Sequence, residues 1–161
     1  MRTNNHSVKN VIISVYFLLI VFAVVLATVF RAFSDLTPNP TFTFFIIVLG
    51  FMALFLFVHR ISKYFEYDSD GIKVVIINKG LLLSDYFNYR ERKLEFSKKD
   101  LIAYKFHSYL VYKTLTIYVK GRTGHRKKET FNVTLVAKKK RRYIRQSLSK
   151  MIKLNKFQNS Q

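Results

Sequence analysis

Two stretches decide the fold: VIISVYFLLIVFAVVLATVF, Val11 to Phe30, and FTFFIIVLGFMALFLFV, Phe42 to Val58. Neither contains Asp, Glu, Lys or Arg. As a helix the first run spans about 30 Å at ~1.5 Å per residue, the depth of a bilayer's hydrocarbon core. The second, 17 residues long, lies at the short end of the spanning range, and Thr41 or His59 lengthens it. Between them, RAFSDLTPNPT (residues 31–41) places Pro38 and Pro40 around Asn39, which reads as a tight reversal. The expectation is a transmembrane hairpin. A cleaved signal peptide fits less well, because the first run exceeds the usual h-region and Ala27-Thr28-Val29 lacks the second small residue of a cleavage site.

Working outward, charge gives an orientation. The reversal carries one cation, Arg31, whereas Arg2 and Lys9 precede the first run and Arg60 and Lys63 follow the second. The positive-inside rule then puts both termini in the cytoplasm and the loop outside, at the inner (cytoplasmic) membrane. Of the total net charge of +19, +17 falls after the second run: 25 Lys and Arg against 8 Asp and Glu from Arg60 onward. Such a surface attracts anionic headgroups, nucleic acid or acidic proteins. Within the spans, Ser14, Tyr16, Thr28 and Thr43 read as helix-packing or interfacial groups rather than an ion path. Ala23 with Ala27, and Gly50 with Ala53, read as narrow faces that close the hairpin.

The remainder reads as strands. Tyr64 to Asp68 and Ile72 to Asn78 flank a Ser69-Asp70-Gly71 turn; Asn78-Lys79-Gly80 turns again before a third extended segment, Leu81 to Tyr89. Arg90 to Lys93 reads as a charged loop, followed by strands at Leu94–Phe96 and 101–106. In TLTIYVK, Leu115, Ile117 and Val119 alternate with polar residues, and in TFNVTLV so do Phe131, Val133 and Leu135, which marks a half-buried hairpin around the loop GRTGHRKKE. The period then changes to that of a helix: KKKRRYIRQSLSKMIKLNK sets Ile144, Leu148, Met151 and Ile152 on one face. The organisation is a tail (1–10), a two-helix hairpin (11–59), a β domain (60–156) and a polar tail (157–161).

YFEYDSDGIKV at the start of this domain, FSKKDLIAYKF feeding TLTIYVKGRTG, and the KKKRRYIRQSLSKMI helix resemble the pleckstrin-homology-like fold. Within that fold the chain resembles specifically the small bacterial membrane proteins that carry a two-helix hairpin followed by such a domain. The likeness covers residues 11–155 in architecture, without a residue-exact motif. It implies a membrane α-helical hairpin plus a β-rich domain: an antiparallel, partly open barrel closed by a C-terminal helix. It also implies a binding or scaffold role without enzymatic activity. Phosphoinositide-binding relatives use a basic loop between the first two strands. Here that loop is the acidic Asp68-Ser69-Asp70, so diffuse attraction to headgroups is expected in place of stereospecific recognition.

Chemistry-bearing patterns are missing from the sequence. No cysteine occurs, which removes thiolate metal sites and cysteine nucleophiles. His6, His59, His107 and His125 show no ligand spacing, and Asp68-x-Asp70-Gly71 lacks the later oxygen ligands of a calcium loop. No Gly-rich phosphate loop or nucleophile elbow appears. No catalytic residue, metal or cofactor is therefore expected. What remains is two basic clusters that read as an anionic surface: Arg122, Arg126, Lys127 and Lys128 in the hairpin loop, and Lys138, Lys139, Lys140, Arg141, Arg142 and Arg145 on the last helix. The reading is a membrane-anchored binding or scaffold module that contacts a protein partner or anionic lipid headgroups. Two alternatives stand beside it. One is membrane-tethered nucleic-acid binding, in which Tyr104, Phe106 and Tyr143 stack on bases. The other is a small pore or lysis-type hairpin protein.

Overall fold

The computed structural model describes residues 1–32, 39–80, 91–121 and 125–158. The chain forms two compact units, Ser7–Ser62 and a second built from Met1–His6 together with Lys63–Gln161.

The first unit is two helices, α1 (Lys9–Ala32) and α2 (Pro40–Ile61). Both are long and apolar enough to cross a membrane. Pro40 opens α2 rather than belonging to the reversal before it. Its missing N–H falls where a helix has none to satisfy, and the Asn39 side chain accepts the Phe42 N–H. The helices run antiparallel, with Tyr16 against Phe55 (ring centroids 5.1 Å) and Phe22 against Phe51 (6.1 Å). Aromatic pairs make this contact. Gly50 does not supply the narrow face expected of it, since a Cβ there would meet nothing within 4 Å. The hydroxyls of Ser14, Thr28 and Thr43 donate to the carbonyls of Asn10, Val24 and Asn39 one turn back, so each is satisfied on its own helix.

In the second unit, β1 (Arg2–Asn4), β2 (Lys63–Asp68), β3 (Lys73–Gly80) and β4 (Arg92–Ser97) form an antiparallel sheet in that order. A 3-10 turn, Lys98–Asp100, leads to a second antiparallel sheet of β5 (Leu101–Ser108), β6 (Lys113–Lys120) and β7 (Arg126–Asn132). Helix α3 (Lys138–Gln158) follows. Period-two alternation sends Phe65 and Tyr67, Val74 and Ile76, and Leu94 and Phe96 inward from β2, β3 and β4. Leu115, Ile117 and Val119 from β6 meet them, with Ile144, Leu148 and Met151 from α3, in one core. Thr114 and Thr116 are buried as well. As the central strand β6 is covered on both sides, and the Thr116 and Thr130 hydroxyls hydrogen-bond across the ladder at 3.1 Å.

Three expectations change here. Among the described residues the strands make two separate sheets and do not close into a barrel, and α3 packs on their shared core without closing one. The backbone ladder is interrupted by the 3-10 turn and by a bulge between Leu101 and Ala103. On the other side the sheets are joined by a side chain. Asn78 Nδ2 donates to the Asn132 carbonyl (3.1 Å) and Asn78 Oδ1 accepts the Asn132 N–H (3.2 Å), a substitute for a ladder rung. Second, the residues expected as an N-terminal tail include strand β1, and Phe157 belongs to α3 rather than to a polar tail. Third, β7 begins at Arg126 and ends at Asn132, so the last four residues of the expected charged loop, Arg126 to Glu129, are strand. The turn is instead closed by Gly121, whose N–H donates to the His125 carbonyl at 2.8 Å. A Cβ at Gly121 would lie 3.0 Å from that same oxygen. The third extended segment, Leu81 to Tyr89, lies outside the described residues; Arg92 and Lys93, expected in a loop, open β4.

Candidate functional site

The most tightly specified place in the second unit is the corner where the chain leaves for α1 and returns from α2. Asn5 is 1% exposed. Its backbone N–H donates to the Phe65 carbonyl (3.2 Å), its Nδ2 to the Lys63 carbonyl (2.9 Å), and its Oδ1 accepts the Phe65 N–H (2.8 Å). An asparagine here satisfies both kinds of backbone group at once, which no apolar residue can do. Beside it β1 pairs with β2, Thr3 opposite Tyr67 and Asn4 opposite Glu66. Arg2 donates to Glu66 at 2.8 Å, and the Tyr64 hydroxyl donates to the other Glu66 oxygen at 2.7 Å. The His6 ring meets Tyr64 edge-on and Lys79 Nζ sits 5.6 Å above the same ring. Partial burial, reinforced by the hydrogen bond to Glu66, pushes the Tyr64 hydroxyl up to about 12. The same carboxylate raises the Arg2 guanidinium.

One basic cluster reaches this corner. Lys138, Lys139, Lys140, Arg141 and Arg142 form the first turns of α3, where no acidic residue offsets them. Lys140 Nζ donates to the Asn4 carbonyl at 2.6 Å, which ties the cluster to β1. Lys138, Lys139 and Arg142 are exposed. Arg145, one turn on, lies over the Phe106 ring at 5.2 Å and so serves packing.

The other cluster is elsewhere. Arg126, Lys127 and Lys128 pair with Lys120, Val119 and Tyr118 on β6, and Val119 pairs with Leu101 of β5. The Leu101 carbonyl accepts from Asn155 near the end of α3. Lys140 and Asn155 are about 22 Å apart along the helix at ~1.5 Å per residue, so the clusters do not form one site. On a strand, successive residues also point to opposite faces, which separates Lys127 from Arg126 and Lys128. Lys127 pairs with Glu129 at 3.5 Å. Because β7 is an edge of its sheet, cations there discourage pairing with another chain. Arg122 lies outside the described residues.

The acidic Asp68-Ser69-Asp70 segment is a turn: the Asp68 carboxylate accepts the Asp70 N–H at 3.0 Å, and Ser69 bonds the Met1 carbonyl and Ser147. Among the described residues no group of three or more His, Asp or Glu side chains comes together. Two of the aromatics in the nucleic-acid reading are engaged in packing: the Tyr104 hydroxyl meets Ser149 at 2.7 Å, and Phe106 lies beneath Arg145.

Sequence reasoning missed two features. Asn5 gives no signal, since its partners are some 60 residues away. The β5–β6 tip, Tyr109-Leu110-Val111-Tyr112, does leave one: an apolar run between two strands without Gly, Pro, Asn or Asp. No protein-family model, curated protein or solved structure matches this chain.

Proposed function

We propose that this protein is a non-enzymatic, membrane-anchored binding module. Its pleckstrin-homology-like β domain is held at the inner face of the cytoplasmic membrane by a two-helix hairpin and engages anionic headgroups through the start of α3. The Asn5 clamp carries this reading. Because β1 precedes α1 and β2 follows α2, their pairing supports a hairpin whose two ends lie on one side of the bilayer. The positive-inside bias makes that side cytoplasmic. The exposed cations Lys138, Lys139 and Arg142 are tied through Lys140 to β1, and each cation near an anionic leaflet contributes about 1 kcal/mol. A shared core of two antiparallel sheets with a C-terminal helix packed on it supports the likeness in fold. The barrel closed by that helix is not part of the proposal.

The test is hydrogen exchange on the full chain in nanodiscs of phosphatidylcholine, with and without phosphatidylglycerol. The proposal predicts slower exchange over 138–145 in the anionic discs, abolished by Lys138→Glu with Lys139→Glu and Arg142→Glu. Equal exchange in both discs contradicts headgroup binding and leaves a protein partner as the occupant of this surface.

A further inference from the structure

Hairpin tips are ordinarily built from Gly, Asn, Asp or Pro, which supply the needed backbone angles. The β5–β6 tip has none of them. It reads Ser108-Tyr109-Leu110-Val111-Tyr112-Lys113 and is closed by the Tyr109 N–H donating to the Tyr112 carbonyl at 2.9 Å. Leu110 is 101% exposed and Tyr109 63%, with Val111 and Tyr112 also exposed. The last buried residue on this arm of β6 is Thr114, so Leu110 stands up to about 13 Å beyond it at ~3.3 Å per residue. His107 stacks on Tyr109 with ring centroids 6.4 Å apart, Lys113 flanks the tip opposite Ser108, and Lys105 stands further down β5 opposite Thr116. Two tyrosines around an aliphatic pair, with cations behind, is the order of side chains found at a membrane interface.

Hydrogen-bonded steps locate the base of this tip. Thr114 pairs with Asn132, Asn132 is bonded to Asn78, Asn78 pairs with Phe65, and Phe65 is clamped by Asn5. The base of the tip thus lies along the same edge of the domain as Asn5, beside which the chain passes to and from the apolar helices, on the order of 20 Å away across four ~5 Å steps. Lys79 and Lys63 stand on the same corner.

We infer that Tyr109–Tyr112 is a membrane-dipping finger: Leu110 and Val111 enter the acyl boundary of the leaflet, Tyr109 and Tyr112 sit at headgroup level, and Lys113 faces anionic phosphates. This rests on the anchored reading above and adds a second, shallow attachment that fixes the domain's tilt on the membrane.

The chain has no tryptophan, so single-tryptophan variants report one site each. Full-length Leu110→Trp, Lys120→Trp and Leu49→Trp are reconstituted in phosphatidylcholine–phosphatidylglycerol vesicles with brominated acyl chains. The finger predicts a blue-shifted, quenched emission for Leu110→Trp and a red, unquenched one for Lys120→Trp, which lies at the opposite end of β6. If Leu110→Trp is quenched no more than Lys120→Trp while Leu49→Trp is quenched, the finger is refuted and the tip belongs to a protein contact. If Leu49→Trp itself escapes quenching, the anchored reading fails, and the finger with it.

Discussion

Asn5 and Asn78 do at single positions what the backbone ladders do elsewhere: each both donates to and accepts from main-chain groups of another strand. Replacing either by Ala removes these hydrogen bonds from buried main-chain groups, at a cost of about 1–3 kcal/mol. Thermal unfolding of Asn5→Ala and Asn78→Ala in detergent is expected to show this loss. Asn78→Asp is expected to fall short of full stability too, because a carboxylate keeps the acceptor for the Asn132 N–H and loses the donor to its carbonyl. Tyr64 makes a pH prediction. Its folded pKa of about 12 lies above the ordinary value of 10, so between these the folded state holds a proton that the unfolded chain has released. Stability is thus complete below pH 10 and declines as pH rises toward 12. Burial raises Tyr67 in the same direction. In Tyr64→Phe, the alkaline loss of stability, followed by denaturant titration at a series of pH values, is expected to be smaller than in the parent.

Among the elements, α3 and β1 hold the domain in different ways. Helix α3 inserts Ile144 and Leu148, both fully buried. Leu148→Ala is expected to cost about 2–5 kcal/mol, whereas Leu154→Ala, on the exposed side, is expected to stay within about 0.5 kcal/mol by the same denaturant titration. Deleting residues 2–4 removes β1 and leaves β2 as a bare edge. Hydrogen exchange is then expected to speed up over 63–68 while β5 to β7 keep their protection. These elements differ in how legible they are in the sequence. The 3.6-residue pattern of α3 and the alternation of β6 are strong because one face of each is buried. The two apolar helices declare themselves by length and lack of charge. β1 was hidden because MRTNN has no apolar alternation, and its three residues are held by hydrogen bonds and by Arg2 on Glu66. The start of β7 was hidden because Arg126, Lys127 and Lys128 look like a loop, although an edge strand tolerates cations well. The candidate surface was legible in part for the same reason. Composition locates charge along the chain, but only register separates Lys138–Arg142, tied to β1, from Arg126–Lys128 at the far end of α3.

For the molecule as a whole, pairing of β1 with β2 ties topology to folding: a hairpin that crosses the membrane twice must return its end to the side from which it started. The absence of cysteine makes the direct measurement clean. Single-cysteine variants Asn39→Cys, Lys128→Cys and Lys139→Cys are treated with a membrane-impermeant maleimide in sealed spheroplasts, then again after permeabilisation. The account predicts labelling of Asn39→Cys from outside, and of Lys128→Cys and Lys139→Cys only once the membrane is opened. Labelling of Lys139→Cys in sealed spheroplasts, or protection of Asn39→Cys there, would contradict it.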